Sequence, residues 1–140
     1  MWIKDPISLL RFEHSIIRVR SSLALASLDW EIGWIMLKDL YTFVTEWHAK
    51  IEDIYVFPLL GVQSKPFSND HLLLEKYGKS CLNERRRDWA ERFISILIEH
   101  NINEERNLFP DEMDAPITMQ RIVANAKEYK DYFAMTGLEP

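Results

Sequence analysis

Apolar residues recur along this 140-residue chain at the three- and four-residue steps that mark one face of a helix. One such stripe runs Leu10, His14, Ile17, Ser21, Ala24, and a second runs Leu37, Tyr41, Val44, His48, Glu52, Tyr55. A third contains His71 and Glu75, followed by Gly78 and Leu82. A fourth reads Trp89, Phe93, Ile96 or Leu97, His100, Glu104, Leu108. A fifth amphipathic segment runs from about Pro116 to Phe133, with Met119, Ile122, Val123, Ala126 and Tyr129 at helical spacing.

Prolines divide these stripes, because a proline inside a helix removes a hydrogen bond and clashes with the preceding turn. Two long proline-free stretches result, Ile7 to Phe57 and Phe67 to Phe109, each the length of a two-helix hairpin. Asp5 before Pro6, Asp29 before the series Ile32, Ile35, Leu40, Phe43, Val44, and Ser68 with a Phe67/Leu72 staple supply helix starts, and Leu82-Asn83 supplies a turn. The pattern predicts helices near 6–26, 30–58, 69–81 and 84–109, with a crossover from Gly61 to Pro66. The expected fold is all-α: an up-down-up-down four-helix bundle over residues 1–110, with residues 111–140, an acidic loop and a helix, appended to the same domain.

Composition narrows the class further. Four glycines argue against an all-β fold and against glycine-rich phosphate loops. Seventeen basic residues against 22 acidic ones give a net charge of −5, with basic residues scattered apart from Arg85-Arg86-Arg87, which disfavours nucleic acid as a partner. Cys81 stands alone, so neither an intramolecular disulfide nor a cysteine-rich zinc site can form, and a reducing compartment fits. The first eight residues lack the apolar core of a signal peptide, and no apolar run reaches the ~18 residues of a membrane helix. A cytoplasmic protein without a membrane partner is expected.

The polar residues on the apolar stripes carry the chemistry. All four histidines fall there, and three, His48, His71 and His100, are followed four residues later by glutamate, at Glu52, Glu75 and Glu104. That spacing sets both side chains on one helix face about 5–6 Å apart. With 13 glutamates in 140 residues, three such coincidences among four histidines have a chance probability of roughly 0.003. A buried carboxylate costs several kcal/mol unless it is neutralised, hydrogen-bonded or bound to a cation. The segment His48-x3-Glu52-x4-Phe57-Pro58 also matches His100-x3-Glu104-x4-Phe109-Pro110 position for position, so the chain reads as a duplicated hairpin. In that duplication His14 corresponds to His71, and Arg18 stands where the second half has Glu75. A bundle would gather His14, His48, Glu52, His71, Glu75, His100 and Glu104 into one layer. Seven nitrogen and oxygen ligands exceed one metal ion's need, and two ions bridged by carboxylates satisfy them.

With Glu13-His14, His48 to Pro58, Asp70-His71 to Glu75, and His100 to Pro110, the chain resembles the hemerythrin-like family, the cation-binding domain with His-His-Glu motifs. The resemblance implies two non-haem iron ions with an oxo or hydroxo bridge. Carried over by position, Glu52 and Glu104 would bridge, His14 and His48 would hold one iron, and His71, Glu75 and His100 the other. Oxygen-carrying members have His-x3-His in the third helix, where this chain has His71-x3-Glu75, and an aspartate where Glu105 stands. The repeat aligns Glu104 with Glu52 and Glu105 with Asp53, which favours Glu104 as the bridge.

A third carboxylate at the metals would favour the ferric state and lower the redox potential. The expected function is to bind or react with oxygen, nitric oxide or peroxide, in sensing, scavenging or repair. The alternatives are a di-iron enzyme of the peroxidase or oxidase type, an iron storage or handling protein, and a metal-free helical interaction module. A homodimer or a partner protein would dock through the C-terminal helix. Glu13 and Glu99 are expected to be surface groups, Tyr41 and Tyr55 to be core or hydrogen-bond donors to the site, and Cys81 to be a buried thiol.

Overall fold

The computed structural model describes all residues from Met1 to Pro140, and its architecture is all-helical, without a strand. Helix α1 is Pro6–Ala26. A continuous helical run over residues 31–60 forms α2. Helices α3, Lys65–Glu84, and α4, Arg87–Asn107, complete the main layer. Helix α1 packs against α2 and α4, and α3 packs against the same two, so the four stripes bury toward one interior. None of the helices is long and apolar enough to cross a membrane.

Local chemistry explains most boundaries. The Asp5 carboxylate accepts from the Ile7 and Ser8 amides at 3.3 and 2.8 Å, satisfying two free donors at the start of α1, where Pro6 sits in the first turn. It also accepts from the Met113 amide at 2.6 Å, which ties the acidic loop to the same cap. Gly61 ends α2 at φ +79°, a conformation that a side chain would strain. The buried Ser64 hydroxyl donates to the Phe57 and Gly61 carbonyls, folding the crossover back on itself.

Several expected boundaries differ. Helix α3 begins at Lys65 with Pro66 in its first turn, not at Ser68, whose hydroxyl donates to Asp53 at 2.7 Å instead of capping. Leu72 is exposed rather than stapled. Asp29 does not cap α2; it pairs with Arg87 across the hairpin ends, and Trp30 holds the cap position. Ile32 and Ile35 are exposed, because the buried face of α2 runs through Gly33, Leu37 and Leu40. Helix α3 continues to Glu84, and the turn into α4 is made by Arg85 in the left-handed region, φ +51°.

The expected fifth helix is two. Helix α5, Pro116–Glu128, lies against α1 and α2, and α6, Tyr132–Thr136, lies against α1. Tyr129 turns to an extended conformation between them. This break lets Tyr129 stack on Trp47, ring centroids 5.6 Å apart, while Tyr132 meets the edge of the same indole at 5.0 Å. Phe133, expected on the apolar face, is exposed. Arg20 fastens α6 to α1 by donating to the Met135 and Ala134 carbonyls at 3.0 and 2.8 Å.

Helix α2 has two turns of wide, five-residue hydrogen bonding, Val44–His48 and Glu52–Val56. In the second, the Phe57 amide donates to the Glu52 carbonyl, and the Phe109 amide donates to the Glu104 carbonyl at 2.8 Å in the same way. These two turns, closed by Glu52 with Phe57 and by Glu104 with Phe109, come immediately before a proline, Pro58 or Pro110. A proline has no amide to donate and its ring clashes with the preceding turn, so widening that turn accommodates it. The Glu-x4-Phe-Pro repeat is thus a repeat of backbone geometry.

Gly78 is where α3 approaches its neighbours most closely. An added Cβ would collide with the Tyr41 ring and lie 2.9 Å from Phe93, so the missing side chain permits helix contact. Gly78→Ala is expected to lower stability by about 1–3 kcal/mol through overpacking, read as a lower denaturation midpoint. An unchanged midpoint would contradict this packing.

Candidate metal centre

Each of the four main helices delivers one histidine to the interior: His14 from α1, His48 from α2, His71 from α3 and His100 from α4. Helices α2 and α4 each add a glutamate one turn later, Glu52 and Glu104. All six side chains are buried. Their donor atoms form two groups, His14, His48, Glu52, Glu104 and Glu52, His71, His100, Glu104, within each of which the atoms lie no more than 4.8 Å apart. Both glutamates belong to both groups. Glu104 Oε1 is 3.3 Å from Nε2 of His14 and of His100, and Glu52 Oε1 is 3.5 and 3.2 Å from Nε2 of His48 and His71.

Although these atoms are close, none is aligned in a hydrogen bond. The four Nε2 atoms and all four oxygens of Glu52 and Glu104 are buried without a hydrogen-bond partner. Native interiors rarely tolerate one such group, at about 1–3 kcal/mol each. Eight such atoms gathered in two adjoining groups could hold metal ions.

The opposite ring nitrogens are all satisfied. Nδ1 of His14 meets Glu105 at 3.2 Å, that of His48 meets Glu13 at 2.9 Å, that of His71 meets Asp53 at 2.9 Å and that of His100 meets Asp70 at 3.0 Å. An ionised carboxylate can only accept, so each Nδ1 carries a proton and each Nε2 is directed inward. Carboxylate support of this kind fixes ring orientation and raises basicity in metal-binding histidines. Phenylalanines of the repeated motif brace two of the rings: Phe109 stacks on His14 at 5.7 Å and 16°, Phe57 on His71 at 5.6 Å and 17°.

Glu75 lies elsewhere. It is exposed at the lip of a cleft between α2 and α3 and belongs to neither donor group. The buried face of α3 runs His71, Leu74, Gly78, Cys81, so position 75 is rotated outward, as Arg18 is beside Ile17 on α1. Two carboxylates, not three, face the interior, and the lower potential expected from a third has no basis in this donor set.

Glu13, expected at the surface, is buried at 1% exposure. It accepts from Trp47 Nε1 at 3.0 Å, from His48 and from the Tyr132 hydroxyl at 3.1 Å. A residue next to His14 on the helix faces a different neighbour, and Glu13 therefore serves His48 on α2. The C-terminal segment thus contributes directly to the support of the site. Asp53 and Asp70 were also missed as supporting groups. Their signal is positional: an acid precedes His14 and His71, and another follows Glu52 and Glu104. Tyr41 and Tyr55 do not touch the site; Tyr41 donates to the Glu75 carbonyl and Tyr55 accepts from Asn125. Cys81 is buried, and burial pushes its thiol up to about 11.

The electrostatics of the metal-free interior follow from its carboxylates. Burial works against charge on His48, but Glu52, Glu13 and Glu104 outweigh it and hold the imidazole at about 9. Burial likewise opposes charge on His71, and Asp53 and Glu52 lift it to about 10. His14 is dominated by burial, and the neighbouring histidines help bring it down to about 4. Burial and the facing Glu52 carboxylate push Glu104 up to about 7. Metal ions must therefore displace protons from His48 and His71.

Comparison with protein-family models, with curated proteins and with solved structures finds no match. The class of site is defined by its own geometry: a buried, all-helical cluster of four imidazoles and two shared carboxylates.

Two outcomes are expected. His48 and His71 have folded values above the ordinary 6.5, so their stabilisation of the metal-free protein is full below that pH and is lost as pH rises through about 9 to 10. Denaturant titrations of chelator-treated protein across that range should show the decline, and metal-loaded protein should not. Tyr132→Phe removes one donor from buried Glu13 and is expected to cost about 1–3 kcal/mol; unchanged stability would show that the phenol is dispensable.

Proposed function

We propose that this chain is a non-haem di-iron protein of hemerythrin-like, four-helix-bundle type that binds or reacts with a small ligand: oxygen, nitric oxide or peroxide. The observation that carries the proposal is the convergence of eight unpartnered buried donor atoms from four helices. Mixed imidazole and carboxylate donors on facing helices suit carboxylate-bridged iron or manganese pairs. His14 and His48 would hold one ion, His71 and His100 the other, with Glu52 and Glu104 shared between them.

Bound there, an iron pair supplies redox equivalents and coordination positions open to a small ligand, since each group provides four protein donors against the roughly six that iron accepts. The protein holds the rest of the arrangement. Glu13, Asp53, Asp70 and Glu105 fix the four rings in the tautomer that directs Nε2 inward. Phe57 and Phe109 stack on two of the rings, His71 and His14, and brace them. Against two ferrous ions, Glu52 and Glu104 leave a charge of about +2. The outer ring of four carboxylates further stabilises positive charge at the centre, which favours the oxidised state.

Metal analysis with absorption spectroscopy tests this assignment. Protein produced with iron is expected to carry two iron ions per chain, with charge-transfer bands that shift on adding nitric oxide or azide. Glu52→Ala and Glu104→Ala should each abolish the pair, whereas Glu75→Gln should leave the stoichiometry unchanged. Asp70→Asn should weaken metal binding by about 10–100-fold. A stable protein that takes up no iron would overturn the proposal.

A further inference from the structure

The two halves of the site repeat each other closely, and they differ beside His71. Each half pairs a histidine with the acid that follows a bridging glutamate: His14 with Glu105, His71 with Asp53. Around Glu105 the protein is closed by cations. Arg11 and Arg18 approach its carboxylate at 3.5 Å, and Arg11 lies over the Phe109 ring, 5.8 Å from its centroid. The repeat places Ser68 where Arg11 stands and Glu75 where Arg18 stands.

Smaller and oppositely charged side chains leave this half open. A cleft of about 420 Å³ runs between α2 and α3, with Asp53, Ser68, His71 and Glu75 among its lining residues and Ala49 and Leu74 on its apolar side. His71 is the one proposed ligand that lines it. It is also the most exposed of them, at 8% against 0% for His14 and 2% for His48. Its inward Nε2 is buried without a hydrogen-bond partner, while its Nδ1 meets the cleft residue Asp53, so the His71 ring stands between the cleft and a free donor atom. Asp53 and Glu75 give the cleft two carboxylates, and Lys50 is the one lysine or arginine among its lining residues. The corresponding face of the other half presents two guanidinium groups.

We propose that the α2–α3 cleft is the route by which divalent cations reach and leave the centre, and that it makes the two metal positions inequivalent. The position held by His71 and His100 fills and exchanges through the cleft. The position held by His14 and His48 lies behind Arg11 and Arg18 on one side and behind Trp47, Glu13 and Tyr132 on the other, and it exchanges only when the helices open locally. Glu75 then attracts incoming cations without ligating them. This inference rests on the two-metal assignment above.

The test follows metal release from the full chain loaded anaerobically with two equivalents of ferrous iron and mixed rapidly with excess chelator. Half of the iron is expected to leave in a fast phase and half more slowly, by roughly tenfold or more, because the second half awaits local opening. The double variant Ser68→Arg with Glu75→Arg transplants the closed arrangement onto the open half. It should slow the fast phase toward the slow one with two ions still bound. Arg11→Ser with Arg18→Glu should accelerate the slow phase. If two ions bind and leave in one phase, or if the fast phase is unchanged in the first double variant, the inference is overturned and the two-metal assignment stands. If the chain binds no iron, both fall.

Discussion

Everything in this structure depends on holding four imidazoles and two carboxylates together in an interior that leaves their inward-facing atoms without hydrogen bonds. Two facing carboxylates repel, and eight unpartnered buried polar atoms would cost about 8–24 kcal/mol, comparable to or above the usual net stability of about 5–15 kcal/mol. The protons on His48 and His71 offset part of that cost in the metal-free chain, because they face Glu52. Cations at the centre would offset the rest. Metal uptake would therefore be linked to folding stability, with the pH at which protons leave the histidines setting how strongly.

The internal repeat makes this arrangement economical in sequence. One pattern, an acid before a histidine in the first helix of a hairpin and His-x3-Glu-acid-x3-Phe-Pro in the second, supplies every part of a half-site. The glutamate is shared and the following acid orients the histidine of the adjoining helix. The phenylalanine stacks on that same ring, and the widened turn at its amide accommodates the proline. Within each hairpin Glu13 and Asp70 support His48 and His100, and pairing of the two hairpins closes the centre, with Glu105 on His14 and Asp53 on His71. Where the halves diverge, at Arg11 and Arg18 against Ser68 and Glu75, no metal donor is affected, only the approach to one.

The helical pattern was legible because prolines, the Asp5 cap and the buried stripes are local signals. The six inward donors were legible because histidine and glutamate recur at fixed steps on those stripes. Glu75 misled because a step of four advances about 40° past a full turn. His71 already sits at the margin of its buried face, so the next turn carries Glu75 out of it, as its counterpart Arg18 on the first helix signals. The buried role of Glu13 was hidden because it depends on which helix lies beside α1, a tertiary fact. The break at Tyr129 was hidden because no proline or glycine marks it in the sequence. Ser68 looked like a cap because local sequence does not reveal that Asp53 claims its hydroxyl.

On the proposed assignment each donor group holds one ion and the two share Glu52 and Glu104. Crystals of iron-loaded protein, measured on both sides of the iron absorption edge, test it most directly. The account predicts two anomalous peaks roughly 3.5–4 Å apart, one beside Nε2 of His14 and His48 and one beside Nε2 of His71 and His100, with Glu52 and Glu104 between them. A single peak, or no peak with the six side chains unmoved, would contradict it.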